Sequence, residues 1–255
     1  MKNRIIAVLV CVMIIFSFAA CSKSSDKPNN GTETFDGLNQ SEKPSVIKSQ
    51  QEASTEYQKD QREEIPTKDP QGNDIMIPEN INSIAAMAPS IVEILVDLGL
   101  GEKITAIETA SVGLEGVRSD VMVFDMMAPD TEKLVSLKPD ILFASDISQV
   151  GGSEDPFKPL KDIGVCVAYI PTSETIEAIK NDIMFISRVT KTADKGKMLV
   201  ENMEKEIDRI SNIAKTITEK KKVYFEIAAA PTIYSFGKGV FLNEMIEFVG
   251  AKNVF

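Results

Sequence analysis

The feature that most constrains this chain is an alternation of short apolar runs with amphipathic segments between residues 81 and 170. Apolar runs at 81–87, 103–107, 121–124, 141–144 and 165–170 read as strands. Segments with helical spacing lie between most of them. Ile91, Ile94, Leu95 and Leu98 share one face of the first, which Ser90-Ile91-Val92-Glu93 opens as a capping box and Gly99 and Gly101 close. Asp130 caps a second helix over 131–137 that Pro139 ends, and a third spans 156–163 before Gly164. Strand and helix in turn predict an α/β fold: a parallel sheet with helices on both faces, whose ligands bind at the carboxyl ends of the strands. Turn residues at 69–74 and Ile75-Met76-Ile77 predict a small opening hairpin.

After residue 170 the rhythm changes. Ile176, Ile179, Ile183 and Ile186 mark one amphipathic helix, and Leu199, Met203, Ile207, Ile210 and Ile213 mark a longer one over 192–217. Lys220-Lys221-Lys222 closes it with cations suited to a helix carboxyl end. A strand at 223–228, a helix at 240–249 ended by Gly250, and the start of a strand at 253–255 follow.

The N-terminus sets the compartment. Lys2 and Arg4 precede an apolar run over 5–18, then Ala19, Ala20 and Cys21. This is the order of a secretory signal, and the run is shorter than the roughly 20 residues that span a bilayer. A Cys after a small pair resembles the lipobox of bacterial lipoproteins, with Phe18 in place of the usual aliphatic residue. The resemblance implies a lipidated Cys21 as the mature N-terminus. Residues 22–64 are polar, with too little apolar surface to offset chain entropy, and read as a flexible tether. Cys166 lies in an apolar run as a small core residue, which leaves no disulfide framework.

Charge and composition exclude several functions. The net charge is -10, and about -12 once the two signal cations are removed, opposite to the basic face of a nucleic-acid binder. Histidine is absent, which removes Ser-His-Asp and Cys-His catalysis and His metal ligands. There is no Gly-x-Ser-x-Gly elbow. Gly237-Lys238-Gly239 lacks Walker spacing, and Gly99-Leu100-Gly101 lacks a third glycine.

Three segments carry a family resemblance. Residues 84–107 open Ile-Ala-Ala-Met-Ala-Pro-Ser-Ile-Val-Glu-Ile-Leu, residues 131–143 read Thr-Glu-Lys-Leu-Val-Ser-Leu-Lys-Pro-Asp-Ile-Leu-Phe, and residues 242–255 read Leu-Asn-Glu-Met-Ile-Glu-Phe-Val-Gly-Ala-Lys-Asn-Val-Phe. In that order they resemble the ABC-importer solute-binding proteins for iron complexes and cobalamin. The resemblance implies a two-lobed periplasmic-binding-protein-like fold with a rigid interlobe helix. The expected organisation is a signal at 1–20, lipidated Cys and tether at 21–64, a first α/β lobe at 65–190, the interlobe helix at 191–219, and the start of a second lobe at 220–255. The family's second lobe is as large as its first, so the chain is expected to be C-terminally truncated and to expose core surface.

The loops after the strands are the candidate ligand contacts: Ser90, Asp125, Met126, Met127, Ser145 and Asp146 in the first lobe, and Thr232, Tyr234, Ser235, Phe236, Gly237 and Lys238 in the second. For Ser90 a cap role outweighs contact, and for Met126 and Met127 contact and core both stand. The resemblance implies that Glu132 docks to an Arg of the permease, with helix-dipole complementarity as the other account of that residue. No carboxylate cluster suits a bare metal, and a preformed complex needs shape and a few polar contacts. The expected ligand is therefore a ferric siderophore, haem or cobalamin, with no resident cofactor. The expected partners are an ABC importer permease and, through the lipid, the membrane, with the protein itself a monomer. An exported α/β enzyme and a non-transport surface lipoprotein are the alternatives.

Overall fold

The computed structural model describes residues 65–255, apart from Met127, residues 150–154 and Ala229. The signal, Cys21 and the tether lie outside the described residues.

The alternation becomes five parallel strands: β1 (Ile84–Ala86), β2 (Ile104–Glu108), β3 (Met122–Phe124), β4 (Ile141–Ser145) and β5 (Cys166–Ile170). Their order is β3-β2-β1-β4-β5, with Ile84 beside Ile104 on one side and Ile141 on the other. Helices α1 (Pro89–Asp97), α2 (Thr131–Leu137) and α3 (Lys158–Asp162) fall between the strands, and α4 (Ile176–Val189) and α5 (Ala193–Ala214) follow them. The strands read as unbroken apolar runs because both faces are covered. Ile84, Ala86, Ile141, Phe143, Cys166 and Ala168 face Ile91 and Leu95 of α1 and Phe185 and Ile186 of α4. Their neighbours Ala85, Leu142, Ala144, Val167 and Tyr169 face Leu134, Phe157 and Leu160 around α2 and α3. Each large side chain fully buried in this way contributes roughly 1.5–3 kcal/mol.

The opening hairpin closes the free edge of β5. Lys68 bridges Asp74, and Asp69, only 4% exposed, accepts from the Tyr169 amide at 2.9 Å and from the Asn73 amide at 2.9 Å. One side chain thereby shields an edge amide that would otherwise be open to foreign strands. Cys166 is buried as expected, and that burial, with the charge of Asp69, pushes its thiol up to about 11.

Four readings need correction. Ser90 does not cap α1: Ala88 is the N-cap, without a side-chain bond, and Pro89 takes the first turn, where its missing N–H costs nothing. The first strand is shorter than 81–87 because the amides of Asn82 and Ser83 bond the Asp140 carboxylate (2.7 and 2.9 Å) instead of a neighbouring strand. The lysine run does not end α5, which stops at Ala214, and Lys222 instead belongs to β6 (Lys222–Val223). The strand expected at 223–228 stops at Val223, where pairing with β7 (Lys252–Asn253) runs out, and the chain turns into an antiparallel bridge between Ala228 and Tyr234. Helix α6 (Phe241–Phe248) completes this second α/β unit and packs, through Gly250 just after it, against Ala214 and Ile217. The long helix α5 thus lies between a five-stranded lobe and a two-stranded unit.

Candidate functional site

Because the five strands run the same way, their carboxyl ends line one edge of the sheet, and the order reverses at β1 and β4, where open α/β sheets form a crevice. The residues at this rim come from five loops.

At the end of β1, Met87 is buried and its amide bonds Phe143 O at 2.9 Å, which leaves Ser90 exposed one step beyond Pro89. At the end of β4, Ser145 is buried and its hydroxyl accepts from the Ile147 amide at 3.3 Å. Asp146 is half-buried and braces the neighbouring loop: it accepts the Thr172 amide at 3.1 Å and the Thr172 hydroxyl at 2.9 Å. After β3, Asp125 is exposed and Met126 half-buried, while Met127 lies outside the described residues.

Two loops that sequence reading passed over complete the rim. At the end of β2, Glu108 is 3% exposed and accepts from the Ala110 amide (2.6 Å) and the Ser111 hydroxyl (2.5 Å), and Thr109 ties this loop to Phe124 O at 3.0 Å. After β5, the Ser173 hydroxyl donates to Asp182 of α4 at 2.5 Å. Burial pushes the Asp182 carboxyl up to about 6 against the lowering effect of that hydroxyl. The strand-end rule pointed to both loops. Ending the second strand at Ile107 hid Glu108, and the Ser173–Asp182 contact spans a loop whose course has no sequence signature.

Glu132 sits in the first turn of α2, exposed, and its carboxylate has no ion pair among the described residues. Its neighbour Lys133 is engaged by Asp130, whose carboxylate accepts the Lys133 amide at 3.1 Å and pairs with Nζ at 2.9 Å. The bond from the Lys133 side chain is the main influence holding Asp130 below the usual carboxylate range.

In the second unit, Tyr234 is 59% exposed, Ser235 donates to Phe225 O at 2.8 Å, and the Phe236 ring lies 5.5 Å from that of Phe225. Thr232, Gly237 and Lys238 are exposed on the same loop. Among the described residues, no hydrogen bond, ion pair or ring contact joins Tyr234, Phe236 or Lys238 to the first-lobe rim. The structure thus gathers the first-lobe candidates at one edge and keeps the second-unit candidates as a separate loop. Among the described residues there is no group of three or more acidic or Cys side chains that could hold a metal ion. The rim offers hydroxyls, braced carboxylates and thioether surface, suited to contacting a shaped ligand.

The family model described as periplasmic binding protein matches residues 84–255. An uncharacterised ABC transporter substrate-binding lipoprotein of Bacillus subtilis is 33% identical over 187 residues, covering 72% of this chain and 59% of the relative. A vitamin B12-binding protein of Vibrio parahaemolyticus is 27% identical over 180 residues, covering 71% and 63%. Among solved structures, a possible iron-binding (periplasmic solute-binding) protein of Staphylococcus epidermidis superposes with a TM-score of 0.62 at 31% identity, covering 69% of this chain and 68% of that one. The periplasmic heme-binding protein HutB of Vibrio cholerae shares the fold, with a TM-score of 0.59 at 22% identity over 68% of this chain and 65% of that one. The chain therefore spans about three-fifths of the length of the two curated relatives.

Proposed function

This chain belongs to the periplasmic binding protein family, and from that premise we propose that it is an extracytoplasmic solute-binding lipoprotein. It captures a preformed metal complex, such as a ferric siderophore, haem or cobalamin, and delivers it to an ABC importer. The observation that carries this reading is the rim itself: loops from all five parallel strands converge on one edge, with no acidic or Cys cluster for a bare metal ion among the described residues. The curated and solved relatives are solute-binding proteins rather than enzymes, and the ligands they are named for (vitamin B12, heme, iron) are metal complexes or the metal they carry.

Binding is tested on the full chain in detergent by titrating haemin, cyanocobalamin and a ferric hydroxamate. The chain has no Trp, so ligand absorbance is the cleaner signal. One complex is expected to bind and to raise the melting temperature through linkage, while bare Zn²⁺ or Mn²⁺ leaves it nearly unchanged. A strong bare-metal shift, abolished by carboxylate substitutions, would overturn the reading.

Two further parts of the proposal concern the membrane. Cys21 is the lipidation site that anchors the protein, and Cys21→Ser should release it or leave it unprocessed; unchanged fractionation and lipid labelling would refute this. Glu132 docks the permease. Its exposed carboxylate on the first turn of α2, without an ion pair among the described residues, supports that role, because exposed charges steer encounter more than they add affinity. Glu132→Lys should leave chelate binding unchanged and reduce uptake in cells carrying the importer, most strongly at low salt. Equal losses in binding and uptake would place Glu132 in the ligand site instead.

A further inference from the structure

The loop between β5 and α4, residues 171–175, is held from three directions. Thr172 is clamped by Asp146 at the end of β4 through two bonds (3.1 and 2.9 Å), and Ser173 by Asp182 of α4. Thr175 caps α4, its hydroxyl accepting the Ala178 amide at 3.0 Å. The next amide, that of Ile176, is one of the donors a helix N-terminus cannot satisfy internally. It donates to Glu244 Oε2 at 2.7 Å, and Glu244 belongs to α6, in the second unit. This bond joins the first lobe to the second unit directly, without passing through α5.

The groove around Glu244 holds more acids than cations. Glu244 lines a groove of about 460 Å³ between α4, α5 and α6, together with Ile176, Glu177, Lys180 and Glu204. Lys180 is already shared by Glu177 (2.5 Å) and Glu204 (2.9 Å). The favourable positive partner for Glu244 is the amide end of α4, where a carboxylate also matches the helix dipole. Asp208, also at the groove, is the remaining acidic neighbour.

We propose that Glu244 is a positioning residue for the solute site: from the second unit it fixes the start of α4, and through the 171–175 loop it fixes Thr172 and Asp146 at the rim. Movement of the second unit and order at the first-lobe rim are thereby coupled through one hydrogen bond. The effect on solute affinity rests on the solute-binding reading above, and the coupling itself does not.

The test measures amide exchange in the ligand-free full chain, comparing wild type with Glu244→Ala, Glu244→Gln and Glu247→Ala. Glu247 is a control on the same helix, where it accepts from Asn243 within α6. Glu244→Ala is expected to speed exchange at Ile176 and at Thr172 by about tenfold. Glu244→Gln, whose amide oxygen still accepts, should recover most of the protection, and Glu247→Ala should leave both amides as in wild type. Wild-type exchange at Thr172 in Glu244→Ala overturns the proposal. So does faster exchange spread evenly along the chain and not rescued by Gln, which would mark a purely structural role. In a second arm, whichever of haemin, cyanocobalamin or the ferric hydroxamate binds wild type should bind Glu244→Ala about tenfold more weakly and Glu244→Gln nearly normally. If none binds wild type, the solute-binding reading falls, while the exchange result still decides the coupling.

Discussion

Asp140 and Asp182 are both partly buried carboxylates, and their surroundings push them in opposite directions. For Asp140, burial raises the pKa, but the amides of Asn82 and Ser83, the Ser83 hydroxyl and the nearby Lys103 together outweigh it and hold the carboxyl below the usual range. The Pro-Asp of the 131–143 segment is therefore a structural staple between the starts of β1 and β4, far from the rim. Asp182 has one hydroxyl donor, Ser173, and burial wins, which pushes it from 3.8 to about 6. Folding thus raises its pKa, so between pH 4 and pH 6, roughly, the native chain binds more protons than the unfolded one. Its contribution to stability is fully present below the unfolded value and is lost as pH rises through about 6. The cost above that point is on the order of 2 kcal/mol, allowing for the part of the carboxylate that stays solvated. Asp182→Asn keeps an acceptor for Ser173 without the charge. It should melt higher than wild type at pH 7.5 and show a flatter stability profile between pH 4 and 6. A variant that melts lower than wild type at pH 7.5 would mean that the ionised form is the one the fold prefers. This pair was not legible in the sequence, since Asp182 occupies an ordinary polar position of an amphipathic helix.

At the scale of elements, the junction of α4 and α5 shows what periodicity can and cannot reveal. Two successive apolar stripes, without a strand between them, marked both helices correctly. The attachment of α5 was hidden, because it depends on side chains that look like surface residues. Lys191, at φ 58°, reaches the Pro78 and Glu79 carbonyls at 3.0 and 2.5 Å, and Lys195 reaches Leu98 O at 2.8 Å. Gly196 lies against Ser187, such that an added Cβ would come within 2.1 Å of its Oγ and 2.4 Å of its Cβ. A glycine inside a helix ordinarily costs about 1 kcal/mol relative to alanine, so here close helix contact outweighs propensity. Gly196→Ala should therefore destabilise the protein by about 1–3 kcal/mol in denaturant titration, despite its better propensity. Ser187→Gly should recover part of the loss in the double variant. A neutral or stabilising Gly196→Ala would show that the two helices can separate freely. The same limit explains the misplaced helix cap and lysine run: Ser90 and the three lysines have the right chemistry for helix ends, but the ends were set by Pro89 and Ala214.

Across the whole molecule, the first lobe and the second unit differ in how much of their apolar surface is covered. The five-stranded sheet has a core on each face, with Ile84, Ile141, Phe143 and Tyr169 wholly buried. This much was legible in the sequence, because two-sided burial writes strands as unbroken apolar runs. The rim was legible in outline for the same reason: where strands end, loops begin. The bracing of Asp146 by Thr172 was not, because it depends on two loops 26 residues apart. Among the described residues, the second unit has two-residue strands, one isolated bridge and an eight-residue helix, and its buried apolar residues are Ile246 and Ala251. Tyr224, Phe225, Ile227, Ile233, Tyr234 and Phe255 are each at least 39% exposed. Local stability follows burial and protected hydrogen bonds, so unfolding should not be uniform. Native-state exchange at low denaturant should show residues 222–255 opening several kcal/mol below the openings that expose β1 and β4, with α5 between the two. Limited proteolysis of residues 65–255 should likewise cut first between 224 and 240, where Phe225, Tyr234 and Lys238 are accessible. A single cooperative transition, with 222–255 protected as strongly as Phe143, would mean that the contacts of Gly250 with Ala214 and of Glu244 with Ile176 tie the second unit into the first-lobe core.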